Sequence, residues 1–511
     1  MNFYQEAAQF LEPSKKGSLQ SRIFAQSKLL GKTRLRADPK HVFAVVFSAL
    51  KYRPFLIDII KAAEIPIADK PGKTKITMNM AILMAHDLLC SRSKRLTISK
   101  GPLKDMFLAH QTRLKSELTR FKLKHKISDL DELVEEDSTP IRWIRINTVL
   151  SNEEEFQKAP LISRLKPIDK IVGGTILPGQ IYKDIHVPHL YGIHPREKLA
   201  NCELYKHGKI IIQDRASCFP ATILNPKPGQ KLIDCCSAPG NKTTHLASFV
   251  AGTPGSIDAF EKDAIRAKLL TKMVKTAGCH NCIKVNVGDF TDTNPDDYPE
   301  VEGILVDPSC SGSGIFGRKH EDDAAAAEET NRDDQKDQFR LHKLSEFQYR
   351  IVKHALLFGS AKKVVYSTCS IHNIENEEVV QKLLLDSQVA AEGWQLAPKT
   401  RVLPLWERRG DPNGFSDFPE NQREALAECV VRALPKVDGG IGFFAACFEK
   451  RDVGDLGNRV PKVSKKEVKI KEDVEVKDED DLKEEEETSS DEMEEDEDEF
   501  DDEEEFTGFS D

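Results

Sequence analysis

Between about residues 208 and 450, short apolar runs alternate with helical stretches, and this alternation constrains the fold more than any other feature of the chain. The runs cover 231–234, 256–261, 283–287, 303–307 and 363–367, and most lead through a turn into a helical pattern such as 243–249 or 263–276. Repeated strand–helix units predict a doubly wound α/β fold, a parallel sheet with helices on both faces. Ligands on such sheets bind beyond the carboxyl ends of the strands, so chemistry is sought there.

The first run opens into Asp234-Cys235-Cys236-Ser237-Ala238-Pro239-Gly240-Asn241-Lys242-Thr243. This is neither a P-loop nor a GxGxxG fingerprint. A tight turn opening a helix still brings backbone N–H groups against a ligand. The second run ends at Glu261, where an acid is placed to accept from ribose hydroxyls. Turn and acid together fit an adenosine-containing cofactor. The fourth run ends in Asp307-Pro308-Ser309-Cys310-Ser311-Gly312-Ser313-Gly314, and the fifth in Tyr366-Ser367-Thr368-Cys369-Ser370. Cys90, Cys429 and Cys447 read as small buried hydrophobes. Cys310 and Cys369 instead sit in polar turns where packing does not call for a thiol. A thiolate there is a soft nucleophile, with nearby helix N-termini expected to lower its pKa.

Eleven cysteines, an odd number without framework spacing, point to free thiols in a reducing compartment. Cys279 and Cys282 form a single CxxC with no second pair at zinc-ribbon spacing, so no metal is expected. No apolar run reaches the ~18–20 residues needed to span a bilayer. The start of the chain has no basic region followed by an apolar core, and it is not read as a secretory signal.

The net charge of −10 conceals opposed blocks. Residues 471–511 hold 3 Lys against 25 Asp and Glu, a net of −22. Residues 1–126 hold 25 Lys and Arg against 9 Asp and Glu, a net of +16, whereas 127–450 carry −7. The head, 1–130, reads as helical, with Val42, Val46, Ala49 and Leu50 on one apolar stripe and Phe107, Leu114, Leu118 and Phe121 on another. Arg92, Lys94, Arg95, Lys100 and Lys104 cluster between them, and the head is expected to bind phosphate and hence RNA. Residues 138–207, broken by Pro and Gly, read as a small α/β module before the main domain at 208–450. Within that domain 317–340 reads as a charged loop insertion. Residues 453–511 read as a disordered tail, basic over 462–471 and then acidic.

These landmarks, with Arg145-Ile146-Asn147-Thr148, Gln213-Asp214-Arg215-Ala216-Ser217, Gly288-Asp289-Phe290, Glu375-Asn376-Glu377 and Gly442-Phe443-Phe444, identify a family by their order. From about Ile141 to Lys450 the chain resembles the Sun-domain (Nop/Sun, Fmu-like) RNA cytosine-5 methyltransferases, and most the eukaryotic subgroup acting on large-subunit ribosomal RNA. The family's usual Asp-Ala-Pro-Cys is here Asp-Pro-Ser-Cys, with Asp307 and Cys310 keeping their spacing. Cys236-Ser237 stands where Cys-Ala is usual. The resemblance implies a Rossmann-like class I methyltransferase domain using S-adenosyl-L-methionine. It implies that Cys369 attacks carbon 6 of cytosine, that Cys310 assists loss of the carbon-5 proton and release, and that Asp307 hydrogen-bonds the amino group and ring nitrogen 3. It also implies that Cys236, Ser237, Ala238, Pro239, Gly240, Asn241, Lys242, Glu261, Arg266 and Asp289 hold the cofactor, with Asp307 also touching it. The target base must be unpaired or flipped.

Other readings fit some of these residues. Transfer RNA is the rival substrate, because basic surfaces read phosphate and not sequence. A non-catalytic ribosome-assembly factor would keep the fold as a scaffold, but has no physical need for two thiols in exposed turns. A cysteine redox or hydrolase enzyme has only His372 as a nearby partner. The acidic tail reads as a solubilising extension, or as a competitor for the basic head that also meets basic pre-ribosomal proteins. A nuclear or nucleolar site rests on the resemblance and on the basic segment 462–471.

Overall fold

The computed structural model describes residues 2–12, 19–28, 34–72, 75–91, 93–130, 133, 139–199, 202–250, 256–316 and 333–450. The described residues of the head are mainly helical: Phe3–Ala8, Leu19–Lys28, Pro39–Ala62, Met78–Leu89, Pro102–Ala109 and Gln111–His125. Local chemistry sets the starts. Asn2 and Gln5 form a reciprocal capping box, and Asp38 caps a helix whose first residue is Pro39. Val42, Val46 and Ala49 are wholly buried in a core belonging to the head alone. The stripe expected over 107–121 is divided between two helices, because His110 leaves helical geometry at φ −91° and ψ 0°. Phe107 and Leu114 are buried on either side of this break. Lys94, Arg95 and Lys100 are exposed, while Lys104 is half-buried and donates to the Ile98 carbonyl. Arg92 lies outside the described residues.

A five-stranded sheet follows, built from β1 (Arg142–Ile146), β2 (Lys166–Ile168), β3 (Gln180–Lys183), β4 (Leu190–Ile193) and β5 (Ile210–Ile212), in the order β2-β3-β4-β1-β5. β5 pairs with β1, so this sheet closes with residues that the sequence reading gave to the main domain. Ile210–Ile212 is an apolar triplet, and periodicity alone cannot say which sheet it joins. Buried Arg145 ties β1 to the main domain, donating to Gln213 Oε1 at 2.8 Å, Ser248 Oγ at 3.0 Å and Thr244 Oγ1 at 3.1 Å. Arg215 does the same by stacking on Trp143 and Trp406 and pairing with Asp184 at 3.2 Å.

The main sheet contains β6 (Lys231–Asp234), β7 (Ile257–Glu261), β8 (Ile283–Val287), β9 (Val301–Val306), β10 (Lys363–Thr368), β11 (Trp394–Leu396), β12 (Val431–Ala433) and β13 (Phe443–Lys450). Its order is β11-β13-β10-β9-β6-β7-β8, with β12 on β13. Five adjacent strands, β10 to β8, are parallel, and β13 runs antiparallel at their flank. Separate apolar clusters cover its two faces, as a doubly wound sheet requires. The chain leaves β6 toward β7 on one side and returns to β9 on the other. That reversal opens a crevice where Asp234 and Asp307 end neighbouring strands.

The insertion expected as a loop over 317–340 is helical where it is described: the helix Asp333–Leu356 includes its last residues. Ser345, Gln348, Val352 and Ala355, at helical spacing, are buried and anchor that helix. The rest of the insertion and the tail lie outside the described residues.

Candidate active site

The turn after β6 is organised by Asp234, a residue not singled out from sequence. Its carboxyl is buried and accepts from Thr243 Oγ1 at 2.7 Å, while Ser237 Oγ donates to its backbone carbonyl at 2.9 Å. Burial raises its pKa to about 6; the Thr243 hydrogen bond opposes this, the charge of Asp307 adds to it, and Lys242 opposes it. Gly240, at φ +116°, precedes the helix Asn241–Val250, and a side chain there would press on Leu270 and Met273. Only glycine suits both conditions.

Glu261 lies buried at the end of β7, and its Oε1 accepts from Asp263 N at 2.9 Å. Arg266 joins this acid to the turn, lying 3.4 Å from Glu261 Oε2 and donating to the Ala238 carbonyl at 2.9 Å. Asp289, past β8, accepts from Thr291 and pairs with Lys262 at 3.2 Å. The structure thus brings the turn, Glu261 and Arg266 together, with Asp289 at the end of the adjacent strand. A buried acid at the second strand end and a glycine-dependent turn at the first suit a ribose and a small charged group. Burial pushes the Cys236 thiol up, so it is a neutral lining group.

The second cluster stands at the ends of β9 and β10. These strands pair with Leu305 opposite Val365 and Val306 opposite Tyr366, which sets Asp307 beside Ser367. Asp307 accepts from Ser367 Oγ and pairs with Lys242 Nζ at 2.9 Å. Lys242 therefore links the turn after β6 to the second cluster. The sulfurs of Cys310 and Cys369 are 2.9 Å apart, and both residues are partly exposed.

At that separation the two thiols are hydrogen-bonded to each other, and either sulfur can be the donor. Cys310 is held below the ordinary thiol range, chiefly by the hydrogen bond with Cys369, with the Gly312 N–H helping against burial, Glu375 and Asp307. Cys369 is pushed up by its hydrogen bond with Cys310 and by burial. The lowering thus falls on Cys310 and comes chiefly from its partner thiol.

The turns carrying these thiols are tightly joined. Gly314 N donates to the Cys369 carbonyl at 2.9 Å, and Gly442 N to the Gly314 carbonyl at 2.8 Å. Glu375, wholly buried, accepts from the Ser311 and Ser370 hydroxyls and from Ser311 N. Nothing in the sequence marked this residue beyond the Glu375-Asn376-Glu377 landmark. Its partners come from distant stretches of the chain. His372 joins the cluster through its backbone N–H, which donates to Ser370 Oγ. Cys279 and Cys282 are buried, each thiol donating to a backbone carbonyl. Among the described residues no group of three or more His, Cys, Asp or Glu is placed to hold a metal ion.

Known proteins match this architecture. Residues 221–449 match the family model described as 16S rRNA methyltransferase RsmB/F. Residues 40–134 match that of the NOL1/NOP2/Sun domain family member 5 N-terminal domain. The chain is 39% identical over 453 residues to the 25S rRNA (cytosine-C(5))-methyltransferase rcm1 of Schizosaccharomyces pombe, covering 87% of this chain and 91% of that protein. It is 33% identical over 467 residues to the 28S rRNA (cytosine-C(5))-methyltransferase of Mus musculus, covering 89% and 92%. The crystal structure of PH0851 resembles it in fold, with a TM-score of 0.53 at 20% identity, covering 88% of this chain and 97% of that one. Near-full-length likeness to these relatives, over the same strand ends that carry the paired thiols, shows that the chain belongs to the Sun-domain RNA cytosine-5 methyltransferase family.

Proposed function

We propose that this protein methylates carbon 5 of a cytosine in large-subunit ribosomal RNA through a transient Cys369–cytosine bond. The observation that carries the reading is the 2.9 Å pairing of Cys310 with Cys369 beside Asp307. S-adenosyl-L-methionine, when bound, supplies an electrophilic methyl group. Cys236, Ser237, Ala238, Pro239, Gly240, Asn241, Lys242, Glu261, Arg266 and Asp289 are its proposed site, with Asp307 at the same strand end.

Carbon 5 of cytosine is a weak nucleophile until a thiolate adds to carbon 6. Cys369 makes that bond as the thiolate, its proton going to solvent or to the Cys310 sulfur 2.9 Å away, so bond formation does not depend on Cys310. Asp307 keeps its bonds to Lys242 and Ser367, and its remaining lone pairs accept from the cytosine amino group, which orients the base for attack. Cys310 then returns its proton to solvent. In the last step it takes the carbon-5 proton; the C–H electron pair restores the ring double bond, and the sulfur–carbon 6 bond breaks to leave Cys369 as thiolate.

Ribosomal RNA is favoured over transfer RNA by the relatives, whose names specify 25S and 28S rRNA. A ribosomal RNA substrate supports a nuclear or nucleolar site for the protein, among pre-ribosomal proteins. Bisulfite sequencing of total RNA after depletion tests this: one or more large-subunit cytosines should lose their signal. Loss confined to transfer RNA would overturn the ribosomal reading.

A further inference from the structure

The two cysteines of the site are held in place by different means. Cys369 follows β10 directly, and that strand is paired on both sides, with Tyr366 opposite Val306 and Thr368 opposite Phe444. The sheet itself places this sulfur. Cys310 lies four residues beyond the end of β9, in a turn with no ladder of its own. Among the bonds holding that turn are Gly314 N to the Cys369 carbonyl, Gly442 N to the Gly314 carbonyl, Gln348 Nε2 to the Ser309 carbonyl at 3.1 Å, Ile371 N to Ser313 Oγ at 3.0 Å, the Ser311 and Ser313 hydroxyls with Ser370 Oγ at 3.2 Å each, and those of Glu375.

Glu375 makes the most of these. Its Oε1 accepts from Ser311 N at 2.8 Å and Gln348 Nε2 at 3.0 Å. Its Oε2 accepts from Ser311 Oγ at 2.6 Å and Ser370 Oγ at 2.5 Å. Ser311 directly follows Cys310, and Ser370 directly follows Cys369. One wholly buried carboxylate thus grips the residue after each sulfur. Four neutral donors fill the lone-pair sites of a carboxylate and offset its loss of water. The charge is a drawback for a nearby thiolate, since it opposes ionisation of Cys310. A group kept there despite its charge is explained by the geometry it imposes.

We propose that Glu375 is the positioning residue that fixes Cys310 against Cys369, so that its loss impairs release of the RNA adduct more than formation. This rests on the reading in which Cys369 attacks and Cys310 assists release. The asymmetry follows from the anchoring: without the carboxylate, Cys369 still directly follows β10, which is paired with β9 as far as Tyr366 and with β13 as far as Thr368, whereas the turn bearing Cys310 has no ladder to make up for the lost bonds. A displacement of ~1 Å in a reacting group costs on the order of 100-fold in rate.

The test uses the full-length protein, large-subunit ribosomal RNA from cells lacking the enzyme, and S-adenosyl-L-methionine. Covalent RNA–protein adduct and 5-methylcytosine are followed in the same quenched samples for Glu375→Gln and Ser311→Ala. For Glu375→Gln, turnover should fall by about 10-fold or more and the adduct fraction should rise several-fold, with the first round of adduct formation slowed much less. Ser311→Ala keeps the Ser311 N–H bond and should move the same way by less, and it carries the test if Glu375→Gln does not fold. Formation and release falling together, or an unchanged adduct fraction, overturns the inference. Faster release also overturns it, because removing the charge alone favours the Cys310 thiolate. Cys310→Ala and Cys369→Ala serve as controls. Adduct in Cys369→Ala refutes the cysteine roles, whereas correct controls with no change in Glu375→Gln refute the positioning role alone.

Discussion

The segment after Cys369 is anchored from below by a buried ion pair whose removal separates stability from catalysis. Glu377 is wholly buried, and Arg432 meets both its oxygens through Nε and Nη2. Arg432 also donates to the Ile371 carbonyl at 2.8 Å and to Asn373 Oδ1 at 2.6 Å, two residues between Cys369 and Glu375. Arg432→Met leaves Glu377 charged and buried with only the Asp411 N–H at 2.9 Å. An uncompensated charge of this kind costs about 3–5 kcal/mol. At roughly 2–4 °C per kcal/mol for a domain of this size, thermal unfolding should come down by about 10 °C.

Adding Glu377→Gln removes the stranded charge and keeps an oxygen for Asp411 N, so at least half of that loss should return. Methyl transfer should not return, because the Ile371 carbonyl and Asn373 still lack their donor. The assay pairs differential scanning fluorimetry with single-turnover methylation for the wild type, Arg432→Met and the double variant. A double variant no more stable than Arg432→Met would refute the charge argument; one that also recovers activity would refute the role given to Ile371 and Asn373.

Three further outcomes follow from the geometry. Asp234 has a folded pKa raised to about 6, so it favours the folded state below about pH 4 and loses that contribution as pH rises through 6. Asp234→Asn should therefore gain stability relative to wild type between pH 5 and pH 7.5, by about 1 kcal/mol in ligand-free protein; a pH-independent difference in melting temperature counts against this. In Gly314→Ala the new methyl would lie 2.3 Å from the Gly442 carbonyl oxygen, a backbone atom, so about 1–3 kcal/mol of stability and most activity should be lost. Lys115, Lys124 and Lys126 are exposed on the last helix of the head and at its end. Replacing all three by Ala should flatten the salt dependence of RNA binding without changing affinity for S-adenosyl-L-methionine, and an unchanged slope in filter binding would exclude this face.

How much of this could be read in advance depends on the range of the forces involved. β6 and β8 begin and end where their apolar runs do, because short runs bounded by turn residues carry their own signal. β13 was not read as a strand: its apolar run over 443–448 says nothing of the antiparallel pairing with β10 that buries it. The break at His110 escaped because the stripe on either side continues in phase. Cys310, Cys369 and Asp307 stood out as polar-turn residues at strand ends, and the sheet brings them together. Their 2.9 Å sulfur contact depends on the register of two strands some sixty residues apart. Asp234 and Glu375 were missed for one reason: a buried acid looks like any other acid until its donors, from distant stretches of the chain, are seen around it.

The division of labour between the cysteines is tested most directly by mapping the covalent bond to RNA. Cys310→Ala protein is incubated with large-subunit ribosomal RNA and S-adenosyl-L-methionine, digested with nuclease and protease, and analysed by mass spectrometry. The account predicts a nucleotide-modified peptide containing Cys369, bearing a 5-methylated cytosine, and none from Cys369→Ala protein. A modified peptide recovered from Cys369→Ala protein, with the nucleotide on Cys310, would contradict it.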